Sequence, residues 1–100
     1  MKQDVFNQYV DKVVELFRIN KDDLFSKSKK RELVDARHLL YYMCSKRPMR
    51  LNYIQKYMLD NGYKIQHSSV IHGIEVIEER IKVDNDYVVI VKELDKAVFI

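Results

Sequence analysis

The sequence is short of the residues that build loops, cross-links and membrane spans. Its 100 residues contain one cysteine, one proline, two glycines and no tryptophan. A lone cysteine, Cys44, rules out an internal disulfide, and with no second cysteine a structural zinc site has few ligands to draw on. So little glycine and proline excludes a loop-rich fold, a disordered tail and a Gly-rich phosphate cradle. No apolar run approaches the roughly 20 residues of a membrane span, and the opening MKQDVFNQYVDK lacks the apolar centre of a signal peptide. A soluble, cytoplasmic protein is expected. The apolar share of 47% and the charged share of 33% fit one globular domain over residues 1–100, large enough for its own core.

What is present is unevenly placed charge. The net +3 hides a central block, residues 26–56, with nine Lys/Arg against two Asp/Glu, a local +7. The flanks sum to −1 over residues 1–25 and −3 over residues 57–100. Concentrated positive charge favours a polyanion, because each neutralised phosphate releases condensed counterions. Within the block, Lys27, Lys29, Lys30 and Arg31 crowd the start of a predicted helix. Cations there oppose the helix macrodipole, so the sequence accepts a local electrostatic penalty.

Apolar spacing predicts helices with short breaks. Val5, Phe6, Tyr9, Val13, Leu16 and Phe17 form one stripe over residues 3–18, with Asn20 as the stop. A short helix over 21–25 follows, with Leu24 and Phe25 directed to the core. Leu33, Ala36, Leu40, Met43 and Cys44 mark a helix over 29–46, with Ser28 as an N-cap and Pro48 beyond its end. Leu51, Ile54, Tyr57 and Met58 mark one over 50–60, closed by Asn61-Gly62. Val70, Ile71, Ile74, Ile77 and Ile81 mark one over 67–82. The last stretch is rich in β-branched residues, yet a lone strand has no partner in an all-helical chain. A helix through Tyr87, Ile90, Val91, Leu94 and Val98 is favoured, and a hairpin of residues 87–94 with 97–100 is the alternative.

The helices over 50–60 and 67–82, with a glycine turn between them, form a candidate helix-turn-helix. In that motif the first turn of the second helix meets base edges in the major groove. Here that turn reads Gln66-His67-Ser68-Ser69, short hydrogen-bonding groups suited to bases. Free N–H groups at the same helix end can donate to a phosphate.

These residues also carry a resemblance. Asp23-Leu24-Phe25-Ser26-Lys27-Ser28-Lys29-Lys30-Arg31, then Val34-Asp35-Ala36-Arg37-His38, and later His67-Ser68-Ser69-Val70-Ile71-His72-Gly73-Ile74, resemble the C-terminal DNA-binding domain of the bacterial replication initiator DnaA. The likeness covers about residues 8–95. It implies an all-α, compact multi-helix bundle with a helix-turn-helix, similar to Trp repressor, that binds double-stranded DNA. It also implies that Lys29, Lys30 or Arg31 enters the minor groove beside Lys27, that Arg37 holds phosphate, and that His67, Ser68 and Ser69 face bases. His72 would be a phosphate or supporting contact. Lys64, just before the helix, joins the phosphate group, and Gln66 joins the base readers.

The chain departs from that family's pattern in three ways. Ile65-Gln66 replaces an Arg-Asp pair, the turn from Ile54 to His67 is about four residues longer than usual, and Ser68 and Ser69 stand where threonine is usual. The family's usual site is therefore not assumed. The chain has no GxxxxGK[ST] loop, so a free-standing copy of the DNA-binding module, of the kind a phage or mobile element carries, is expected.

Other chemistries fit less well. His67 and His72 are five residues apart rather than the four of a helical metal pair, and no cofactor motif is present. No enzyme is expected, since Cys44 falls in a core register and the carboxylates lie on solvated helix faces. Tyr41, Tyr42, Tyr53, Tyr57 and Tyr63 could stack on single-stranded bases, though such tyrosines usually fill a core. The alternative class is a protein-interaction module docking on a replication or virion protein through the acidic last helices and Ala97-Val98-Phe99-Ile100. DNA binding requires the basic run and the His67–Ser69 helix start to share a face.

Overall fold

A computed structural model describes residues 1–99; Ile100, the last residue of the hairpin and docking-surface expectations, lies outside the described residues. Six helices follow in order: α1 (Lys2–Phe17), α2 (Lys21–Leu24), α3 (Arg31–Lys46), α4 (Leu51–Asp60), α5 (His67–Val83) and α6 (Asn85–Ala97). The all-α expectation holds. The β-branched stretch is helical, capped by the Asp84 carboxylate accepting the Asp86 N–H at 2.9 Å. The hairpin over residues 87–94 is therefore not formed, and the chain turns extended only at Val98.

Helix α3 is the centre of the bundle. It packs most extensively on α5 and next on α1, and touches each of the other helices. Leu39, Leu40, Ala36, Met43 and Cys44 are fully buried on it. Leu39 widens the expected stripe because α3 is covered from two sides. Phe6, Tyr9, Val10 and Val13 meet it from α1, Ile54 and Met58 from α4, and Val70 and Ile77 from α5. Leu16 and Ile71, expected inside, are 43% and 42% exposed.

Two helices close by the same device with different residues. At the end of α4 the Tyr63 N–H donates to Met58 O at 2.9 Å and the Gly62 N–H to Leu59 O at 2.8 Å, with Gly62 at φ 86°. This is the Schellman closure, in which one left-handed residue lets the chain cap its own carbonyls. Tyr63 is thereby turned into the core. At the end of α1 the Ile19 N–H reaches Val14 O at 3.2 Å and the Arg18 N–H reaches Glu15 O at 3.3 Å, but the left-handed residue is Arg18 at φ 53°. The stop is thus Arg18 rather than Asn20, which opens α2 instead.

The C-terminal end folds back on the body. The Phe99 N–H donates to Gln8 Oε1 at 2.8 Å, and the Gln8 amide donates to Phe99 O. Arg47 donates to Asp95 O at 2.7 Å and Val98 O at 3.1 Å, and its Nε lies 3.5 Å from the Asp95 carboxylate. The tyrosines serve packing. Tyr41 and Tyr63 are buried, and Tyr57 lies 5.4 Å from Phe6 and 6.2 Å from Tyr53, ring centre to ring centre.

Gly73 sets the closest approach of α5 to α3. A Cβ at this position would lie 2.8 Å from His38 Cδ2 and 2.9 Å from Tyr41 Cδ2. Alanine is the better helix former by about 1 kcal/mol, yet Gly73→Ala is expected to destabilise by about 1–2 kcal/mol net through overpacking. Arg18→Gly should act oppositely and stabilise by about 0.5–1 kcal/mol, since glycine takes the left-handed conformation without steric strain. Urea unfolding of the two variants checks both signs.

Candidate nucleic-acid interface

The basic segment is a shaped loop between α2 and α3. Its shape comes from Arg37, in the second turn of α3. The guanidinium donates to Leu24 O at 2.7 Å through Nε, to Ser28 O at 2.9 Å through Nη1, and to Ser26 O at 2.7 Å and Asp23 O at 3.2 Å through Nη2. The carbonyls of Asp23 and Leu24 are end groups of α2 without partners inside that short helix, so a cation suits them. Arg37 is 3% exposed. This corrects the expectation of a side chain reaching out to grip phosphate, because the planar fork of donors is engaged with the protein's own backbone.

The rest of the loop satisfies itself locally. Ser26 Oγ donates to Asp23 O at 2.7 Å, and Ser26 Oγ and Ser28 Oγ accept the N–H groups of Ser28 and Lys30, each at 3.3 Å. Ser28 therefore braces the loop rather than capping α3, which begins at Arg31 with Lys30 before it. Lys29, Lys30 and Arg31 are exposed. Arg31 has one weak tie, its Nε lying 3.9 Å from Asp35, and a surface pair of that kind contributes little.

The loop is stitched to the helix-turn-helix. Lys27 Nζ donates to Lys64 O at 3.0 Å and lies 4.4 Å from the Tyr63 ring centre, and the Arg37 guanidinium lies 4.8 Å from the same ring. Tyr63 follows the Gly62 turn, so one cation of the basic segment and one of α3 sit on its ring. From the other side Gln55 Nε2 donates to Ile65 O at 2.7 Å. The turn between α4 and α5 is thus held at both ends.

Gln66 precedes α5 in an extended conformation, and its side chain makes no capping bond. Of the first-turn N–H groups of α5, that of Ser69 donates to Gln66 O at 3.0 Å, and those of His67 and Ser68 precede the first intrahelical bonds. Gln66, His67, Ser68, Ser69 and His72 are exposed, as is Lys64. Val70 is buried and holds the helix start on the core. Lys29 from the loop and Ser68, Ser69 and His72 from α5 line one crevice of about 400 Å³, with Arg37, His38 and Tyr63 also lining it. Lys29 of the basic segment and Ser68 and Ser69 of the helix start therefore share a face, while Lys30, Arg31, Gln66 and His67 do not line this crevice. Lys64 lies on a separate groove with Lys56 and Leu59.

His38 is the residue of this region that sequence spacing does not single out. Its ring meets His72 edge to face at 5.6 Å, and its Nδ1 is buried without a hydrogen-bond partner among the described residues. Burial, then the nearby His72, hold its pKa below the ordinary histidine value, with Arg80 and Arg37 acting the same way and Asp35 opposing. Only the α3–α5 crossing at Gly73 brings the two imidazoles together, and nothing in the local sequence announces that crossing. Asp35 is itself held by Arg80 at 3.1 Å, and Arg80 also donates to the Tyr87 hydroxyl, tying α3, α5 and α6 together.

The family described as "Bacterial dnaA protein helix-turn-helix" matches residues 7–77. The chain belongs to that family. The matched region runs from α1 through the basic loop and the turn into α5, and it contains every element of the interface. Membership makes the chain a DNA-binding domain by class. The end of α5 and all of α6 lie beyond the match. No solved structure matches the chain. Among the described residues no helix is long and apolar enough to cross a membrane.

Two outcomes follow from this geometry. Arg37→Ala should cost about 2–4 kcal/mol by urea unfolding, because it strips one buried and three part-buried carbonyls of a charged donor. Arg37→Lys should recover little of that, since an ammonium cannot reproduce the fork. For His38, the depressed folded-state pKa means that the unfolded chain binds more protons below pH ~6.5. Its contribution is present above that pH and is lost as pH falls through the folded-state pKa. The stability drop between pH 7.5 and 5.5 should be smaller in His38→Gln; equal drops would count against the assignment.

Proposed function

We propose that this protein binds double-stranded DNA sequence-specifically, with α5 read into the major groove and the basic loop set against the neighbouring minor groove. The observation that carries this reading is the shared face: Lys29 of the loop and Ser68, Ser69 and His72 of α5 line one crevice. A helix start and a basic arm fixed side by side can address two adjacent grooves at once. Lys30 and Arg31 are the minor-groove candidates, with Lys27 and Lys64 beside the backbone. Gln66, His67, Ser68 and Ser69 are the base readers, and His72 is a phosphate contact.

Family membership supports a setting in replication. The protein would occupy an origin-like site, as a competitor or a marker, and so control replication or transcription. Its target would differ from the family's usual site, because Ile65-Gln66 and the two serines present different groups to the bases.

The experiment is selection from a random duplex library, followed by affinity measurements over a salt series. Enrichment of one motif is expected. Lys30→Ala and Arg31→Ala should weaken binding broadly, each flattening the log–log salt slope by about one where it neutralises a phosphate. His67→Ala should cost about 1–3 kcal/mol at a single base position and relax selection there. No enrichment, with no effect of the loop substitutions, would sink the reading in favour of a protein-interaction module.

A further inference from the structure

Between Lys64 and Ser69, the segment that leads into α5, one side chain is apolar. Lys64, Gln66, His67, Ser68 and Ser69 are exposed, and Ile65 among them is half-buried. Packing explains part of its placement. Ile65 and Val70 occupy the N′ and N4 positions of a hydrophobic staple, and Ile65 lies against the core. Packing does not account for its remaining surface. Ile65 lines the crevice toward the basic loop and also the groove toward α4, and it is the one residue common to the two. It therefore forms the ridge between them, at the end of α5 that leads into a duplex.

The backbone beneath this side chain is clamped from both flanks. Lys27 of the basic loop donates to Lys64 O at 3.0 Å, and Gln55 of α4 donates to Ile65 O at 2.7 Å. Two successive carbonyls are held by side chains of different elements, so Ile65 has a fixed place relative to the first turn of α5. A contact group that is rigid before binding loses little freedom on binding and discriminates by fit.

The chemistry of the major groove names the partner. Base edges there carry hydrogen-bond donors and acceptors with one apolar exception, the C5 methyl of thymine. The open side of an isoleucine gains nothing from a polar edge and gains burial from a methyl. We infer that Ile65 is a specificity-determining residue that packs on the 5-methyl group of one thymine, at the edge of the bases addressed by residues 66–69. The contact rests on the duplex-binding reading above and adds to it a base identity set by an apolar side chain rather than by a hydrogen bond.

The test uses the duplex enriched by selection, with each thymine in turn replaced by deoxyuridine. That exchange removes the methyl and keeps every hydrogen-bonding group of the base. One sensitive position is expected, with a loss of about fourfold, the worth of one buried methyl group. In Ile65→Ala the thymine and uracil duplexes should bind alike, and in Ile65→Val part of the difference should persist. A purely structural role of Ile65 would lower the affinity for both duplexes together, so their ratio isolates the contact even where a substitution weakens the fold. If the site tolerates uracil at every thymine, or if the sensitivity survives Ile65→Ala in full, the contact is overturned while duplex binding stands. If no duplex is enriched, the duplex-binding reading fails and takes the contact with it.

Discussion

The buried guanidinium of Arg37 is the interaction on which the candidate interface depends. A six-residue stretch with four basic side chains has every electrostatic reason to spread into solvent. It does not, because one arginine gathers the carbonyls of Asp23, Leu24, Ser26 and Ser28 onto a single plane of donors. An internal cation is tolerable only when its hydrogen bonds are made, so the loop cannot drift without stranding the charge. Contact with the Tyr63 ring carries the same constraint into the turn before α5. The two parts of the interface are therefore placed by one side chain belonging to neither.

The second constraint is the α3–α5 crossing. Gly73 lets the helix that bears the candidate base readers lie directly on the central helix of the bundle. Arg80 pins the far half of α5 to α3 through Asp35 and to α6 through Tyr87. A helix mounted this way is fixed to the core, which sets the distance of its first-turn side chains from the loop. Helix α6, outside the matched family region, closes the bundle and is itself fastened through Arg47 and Gln8.

Much of this was legible in the residues, and what was not has identifiable causes. Period-3.6 stripes mark α1, α3, α4 and α5 because each buries one face on the bundle. The last helix is legible against its β-branched composition because a lone strand leaves backbone groups unpaired. The end of α1 is not legible, since a left-handed arginine carries no mark in sequence. The burial of Leu39 and the exposure of Leu16 and Ile71 depend on which neighbours cover each helix, and a single stripe does not encode that. At the interface, the exposure of residues 66–69 follows from their polarity. Arg37 reads as one more surface cation because its partners are main-chain carbonyls, which every residue possesses and no sequence displays. His38 gains its place only through a crossing set by a glycine on another helix.

The direction of α5 gives the charge layout a mechanical meaning. Its positive dipole end opens beside the basic loop, while Glu75, Glu78 and Glu79 follow along the same helix and line a surface away from the crevice. Peptide dipoles and side-chain charges therefore point the same way. Near a polyanion, a charge layout of this kind experiences a torque that turns its positive end forward and its acidic side away. Steering of that sort selects orientation during approach and needs no additional contact.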